Sequence, residues 1–142
     1  MKKKRSLQGL LLLSFFILLG SCLFAGKVLT NAPASDEPKS IKISDTLAVK
    51  VDDESGKYSW NSAIEQCASY GKGWHSPSMI ELSILYNKKD KIGGFKKDWY
   101  WSSSEFFNDF GRSLNFKTGE QNDDYEDKNH SNCVRCVKTL EK

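Results

Sequence analysis

Three cysteines and a histidine stand where side chains of that kind can do chemistry. Cys133-Val134-Arg135-Cys136 is a C-x-x-C, His130 precedes it by three residues, and Cys67 lies far upstream. Two thiols at this spacing serve disulfide exchange or metal binding. Exchange needs a helix starting at the motif to lower a thiol pKa, and only six residues follow Cys136. Zinc would use Cys67, His130, Cys133 and Cys136 as a four-ligand set. On an extended strand, Cys133 and Cys136 point to opposite faces, which opposes a shared metal. No metal and no cofactor is expected.

The other chemistry-bearing residues point to binding rather than catalysis. His75 has no serine or cysteine nucleophile at a recognisable spacing, and Ser102-Ser103-Ser104 lacks a G-x-S-x-G context. No acid pair stands out for glycoside hydrolysis. There is no glycine-rich phosphate loop and no nucleic-acid motif. No residue is assigned a catalytic role, and the chain is read as a non-enzyme. Asn122-Asp123-Asp124 and Glu126-Asp127 offer oxygens to calcium, but no EF-hand loop surrounds them, so they read as a solvated acidic loop. Lys88, Lys89, Lys91, Lys96 and Lys97 cluster around Gly93-Gly94. Such a patch attracts sulfated glycans or anionic lipid headgroups, although Asp90 and Asp98 dilute it. Of Trp60, Trp74, Trp99 and Trp101, two are expected in the core and at most one as a ligand contact. Lys96, Lys97 and Trp101 are the candidate ligand-binding residues.

The N-terminus says where this binding would take place. Lys2, Lys3, Lys4 and Arg5 precede an apolar run from Leu10 to Leu19, followed by small residues. That is the layout of a secretory signal peptide. The run is shorter than the ~20 residues that span a bilayer. Leu19-Gly20-Ser21-Cys22 resembles the bacterial lipobox, which implies cleavage before Cys22 and a diacylglycerol on its thiol. The alternative is a plain secreted protein cut after Ala25. Lipidation of Cys22 makes the membrane a partner and places the chain in the bacterial cell envelope; Leu23, not Asp, follows the cysteine, which favours the outer membrane. Of 21 cations, the four at the N-terminus leave with the signal, so 17 face 18 anions. The basic balance of the whole chain is therefore no argument for nucleic acid.

About 120 residues follow the signal, enough for one domain. Residues 22–45, with Pro33 and Pro38 among small and polar residues, read as a lipid-anchored linker, and 46–142 as the domain. Within 41–51, Ile41-Lys42-Ile43 and Leu47 to Val51 are candidate short strands. Trp60, Ala63, Ile64, Cys67 and Ala68 share one helical face, with Ser59 as N-cap and Gly71 and Gly73 as terminators. A second helix follows Pro77, where Ser78 and Glu81 fit a capping box and Met79, Leu82, Leu85 and Tyr86 form the apolar face. Aromatic Trp99-Tyr100-Trp101 begins a strand, Arg112 to Lys117 alternates as another, and Cys133 to Leu140 is the last. In that last strand Val134 and Cys136 share one face; Cys133, Arg135 and Val137 share the other. Two helices followed by several strands predict an α+β domain. In an oxidising compartment two of its three cysteines pair and one is left over.

Five blocks in this order resemble the Lcl C-terminal domain family of bacterial collagen-like surface adhesins. They are Trp60, Ala63 and Cys67; Gly73-Trp74-His75-Ser76-Pro77-Ser78; Glu81-Leu82; Tyr100-Trp101-Ser102-Ser103; and Val134-Arg135-Cys136-Val137. The similarity covers about residues 56 to 138. His75 and Ser76 depart from the family's Arg and Leu, which removes an arginine and whatever ion pair it makes. The resemblance implies a C-type-lectin-like fold with two helices packed on short antiparallel strands. It also implies a Cys67–Cys136 disulfide, leaving Cys133 free or paired between chains. The function it implies is a non-catalytic envelope lipoprotein that binds a glycan or a surface protein. Two alternatives are an enzyme of the formylglycine-generating type, which shares a lectin-like fold and needs a reactive cysteine pair, and a purely structural envelope module.

Overall fold

The computed structural model describes residues 37–107 and 109–142. Cys22, the signal segment 1–21 and most of the expected linker lie outside the described residues. The chain runs β1 (Ser40–Lys42), β2 (Leu47–Lys50), α1 (Trp60–Ala68), β3 (Trp74–His75), α2 (Met79–Ile92), β4 (Trp99–Phe107), β5 (Phe110–Asn115), β6 (Gln121–Asp127) and β7 (Val137–Thr139). Two antiparallel sheets form, one ordered β1-β2-β7-β3 and the other β4-β5-β6. The domain is α+β, as its residue pattern predicts.

The helices form where periodicity and caps agree. The Ser59 hydroxyl caps α1 by accepting from Ser62 N, and Trp60, Ala63 and Cys67 face inward. In α2 the Ser78 and Glu81 side chains make the reciprocal capping box, and Met79, Leu82 and Leu85 are buried. A first apolar cluster gathers Val49, Leu82, Leu85, Tyr100, Leu114 and Phe116 around α2. A second gathers Trp60, Cys67, Trp74, Trp101 and Val134 around α1.

β4 runs between these two clusters, and its alternation serves both. Tyr100 enters the first and Trp101 the second, each fully buried. The segment before β7 does the same: Cys133 packs in the first cluster, Val134 and Cys136 in the second. It lies alongside β4, with Trp101 N–H donating to Cys133 O at 3.0 Å and Cys133 N–H to Trp99 O at 2.9 Å.

Four expectations are corrected here. The expected boundary at residue 46 lies too late, because β1 pairs with β2 and the Glu37 carboxylate accepts from Trp74 Nε1 at 3.0 Å. The last strand is shorter than expected, and neither face of the segment before it is solvated. Residues 122–129, expected as a loop, hold most of β6, a polar edge strand paired to β5. Its backbone pairing needs no apolar side chains, and the inward Glu126 is satisfied by Ser113, by Asn122 Nδ2 at 3.1 Å and by Asn132 Nδ2 at 2.6 Å. Trp101, expected as a ligand contact, is wholly enclosed and cannot touch a ligand. Its indole N–H donates to Tyr58 O at 2.7 Å, which satisfies its one polar group inside.

Candidate functional site

The end of α2 sets up a basic groove. Gly93 N–H donates to Lys89 O at 2.8 Å, and Gly93 and Gly94 then take φ of 77° and 73°. That left-handed pair, which side chains resist, turns the chain so that Phe95, Lys96 and Lys97 run back along the domain. A groove of about 470 Å³ opens there, walled by Lys89, Lys96, Lys97 and Lys117 with Phe95 and Phe116 below; Asp90 is its one acid. The size is that of small-ligand sites.

The aromatic floor is a connected stack. Phe95 lies on Phe116 with ring centres 4.6 Å apart, and Tyr86 meets Phe116 edge-on at 5.6 Å. Lys89 Nζ sits 4.4 Å over the Tyr86 ring. Lys89 also belongs to the last turn of α2, where a cation offsets the negative end of the helix dipole. Lys96, Lys97 and Lys117, all exposed, carry the charge available to a ligand.

Beneath the groove a buried polar network fixes the loop. Lys96 N–H donates to the Tyr100 hydroxyl at 2.7 Å, and that hydroxyl donates to Asp53 Oδ2 at 2.5 Å. Asp53 Oδ1 accepts from Arg135 Nε at 2.6 Å. Arg135 Nη1 donates to the carbonyls of Lys50 and Val51, and its guanidinium lies 4.1 Å over the Phe95 ring. Burial, then the Asp53 carboxylate, push the Tyr100 pKa up, so the phenol stays a neutral donor. Gly94 packs so close to Arg135 that a Cβ would meet Nη2 at 3.2 Å.

The expected site residues fall out as follows. Lys96 and Lys97 stand on the groove wall, and Trp101 does not. Cys67 and Cys136 are bonded, with Cα atoms 5.3 Å apart, and tie α1 to the segment before β7. The disulfide takes up two of the four residues that could have formed a zinc set. Among the described residues no three His, Cys, Asp or Glu side chains form a metal-binding group. Cys133 is the one free cysteine among them, and burial pushes its thiol pKa up. His75 Nδ1 lies 2.9 Å from Gly73 O and Nε2 lies 3.1 Å from Glu81 Oε1. His75 thus joins the Glu81 side chain at the N-terminus of α2. Trp60 and Trp74 are core residues and Trp99 is half-buried, so three of the four tryptophans are inside rather than two.

The lysine cluster was visible in sequence; its floor and supports were not. Phe95, Phe116 and Lys117 join it only through folding. Arg135 carried a signal of its own: a charged residue inside Cys133-Val134-Arg135-Cys136-Val137 needs a buried acid, and Asp53 is that acid. No family model matches the chain, and no curated protein matches it.

Proposed function

We propose that the chain is a bacterial cell-envelope lipoprotein, anchored through an acylated Cys22, whose lectin-like domain binds an anionic glycan without catalysing a reaction. The observation that carries this reading is the groove at Gly93–Gly94, with four lysines against one acid over a Phe95–Phe116 floor. Ammonium groups suit the sulfate or carboxylate substituents of a sugar, while the faces of Phe95 are already taken by Phe116 and Arg135. The α+β architecture and the disulfide from the first helix to the last segment support the lectin-like assignment. The formylglycine-type alternative is disfavoured, because bonding Cys67 to Cys136 leaves Cys133 alone and buried.

Binding of the purified chain to dextran sulfate and to neutral dextran tests the groove. Retention on the charged polymer that falls with salt, and a loss of about tenfold in affinity in Lys96→Ala/Lys97→Ala, is expected. Equal binding to both polymers, or indifference to the double substitution, refutes the groove. Radiolabelled palmitate tests the anchor: label should enter the wild type and not Cys22→Ala.

A further inference from the structure

The turn that follows β6 carries a triplet that no part of the groove uses. Asn129-His130-Ser131 is an Asn-x-Ser acceptor with no proline at its centre, the form that takes an N-linked glycan on an exported chain. Asp127 stands two residues before the asparagine, the place where bacterial acceptor sites carry an acid. Of the chain's eight asparagines only Asn129 heads such a triplet, so what decides its use is whether the fold presents it.

The fold presents it in solvent. Lys128 O accepts from Trp60 N–H at 2.9 Å, and Asn132 and Tyr58 exchange backbone bonds at 2.9 and 3.0 Å. These contacts pin the two ends of a turn closed by His130 N–H donating to Asp127 O at 2.8 Å. Asp127, Asn129, His130 and Ser131 are all exposed, whereas Asn132, next along the chain, is buried and serves Glu126. A bulky glycan needs such a surface turn.

The acceptor side chain is also held in place. Asp127 Oδ1 accepts from Asn129 N–H at 2.8 Å and from Asn129 Nδ2 at 2.9 Å. The carboxylate thereby sets the plane of the carboxamide while its nitrogen stays at the surface. The Ser131 hydroxyl makes no hydrogen bond among the described residues, so a transferase can read it. A polar cleft of about 410 Å³ opens beside the carboxamide, lined by Asn61, Asp109, Asp127 and Lys128. Amide and carboxylate groups bond hydroxyls, so the first sugar has a seat against the protein.

We propose that Asn129 is a site of N-linked glycosylation, taking an oligosaccharide from a polyprenyl-diphosphate carrier after export. An N–C bond forms between Asn129 Nδ2 and the anomeric carbon as the C–O bond to the diphosphate breaks. The polyprenyl diphosphate leaves with the electron pair of that bond, and one Nδ2 proton passes to a base of the transferase. The step rests on the envelope location in the proposed function and not on the groove, with which the turn shares no residue.

Peptide mapping of the full chain, extracted from the envelope of its own bacterium, tests this. Trypsin releases residues 129–135, cutting after Lys128 and after Arg135. In the wild type that peptide is expected to carry a sugar mass on Asn129. The mass should be lost in Asn129→Gln and in Ser131→Ala, kept in Ser131→Thr and reduced in Asp127→Ala. Non-reducing mapping of Cys67–Cys136 checks that each variant has been exported and has folded. A disulfide-bonded chain whose 129–135 peptide is wholly bare overturns the site and leaves the envelope reading standing. Sugar that persists in Asn129→Gln overturns it too. A chain with both thiols reduced and no sugar removes the envelope reading together with the site.

Discussion

Replacing Arg135 with methionine isolates the network beneath the groove. The Arg135 side chain is fully buried and its partner Asp53 is 7% exposed. The substitution removes the bond from Nε to Asp53, both carbonyl contacts of Nη1 and the cation above Phe95. It leaves a carboxylate in the interior that Tyr100 alone still serves. Breaking a buried pair from one side costs about 3–5 kcal/mol, and the remaining Tyr100 donor argues for the middle of that range. A domain of this size has ~5–15 kcal/mol in total, so Arg135→Met should remain folded but lower the melting temperature by roughly 20 °C. Thermal circular dichroism of the purified chain measures this. The control is Asp53→Leu/Arg135→Met, which removes both charges and should recover at least about half the loss. A single substitution costing less than about 1 kcal/mol, or a double variant no better than the single, refutes the claim that the cost is an orphaned charge.

Other perturbations follow from the same contacts. Gly111→Ala should lose about 1–3 kcal/mol in urea denaturation, because the added Cβ would meet Trp60 Cδ1 at 2.5 Å and Trp101 Cζ3 at 3.1 Å. Tyr100→Phe removes the acceptor of Lys96 N–H and a donor to Asp53; it should cost about 1–2 kcal/mol and speed amide exchange at Lys96. The His75–Glu81 pair should make stability depend on pH at both ends. Its bond to Glu81 raises the His75 pKa above 6.5, so that contribution is complete below pH 6.5 and fades as pH rises through the folded value. Burial pushes Glu81 up, but hydrogen bonds from His75 and Ser78 outweigh it and hold the carboxyl at about 2 rather than 4.5. Its contribution is complete above pH 4.5 and fades as pH falls towards 2. Solvent reaches the pair, so each limb is worth only about 1 kcal/mol; His75→Gln should flatten the alkaline limb in denaturation midpoints measured from pH 5 to 9.

Helices and caps were legible because each is a local pattern. Trp60, Ala63 and Cys67 repeat on one face, and Ser78 with Glu81 spells the capping box that forms. The lysines around Gly93–Gly94 were legible for the same reason, since they are close in sequence. The rest depends on what packs on the second face of a strand. Alternation in Trp99-Tyr100-Trp101 puts Tyr100 and Trp101 on opposite faces of the strand, and it does not say what packs on either face. Helix-bearing clusters lie on both sides of β4, so Tyr100 and Trp101 are both inside. β6 was missed because an edge strand can be held by backbone pairing while its side chains stay polar. Phe95 and Phe116 are separated by a helix-to-strand turn and the whole of β4 and β5, so nothing in the sequence places one upon the other.

The groove's physics also constrains its ligand. The loop backbone is fixed by Gly93, Tyr100 and Arg135, yet the lysines reach solvent on free side chains. Ordering each long side chain costs about 0.5–1.5 kcal/mol, and an exposed ion pair returns about 0.2–1 kcal/mol. A single sulfate on a single lysine therefore gains almost nothing. Several acid groups on one polymer share one loss of translational freedom. On the proposed function, free sulfate should compete with dextran sulfate only through ionic strength, with sodium chloride of equal ionic strength displacing the polymer just as well. Displacement by sulfate well below that ionic strength would mean that the groove holds one discrete anion, and the polymer-binding reading would fall.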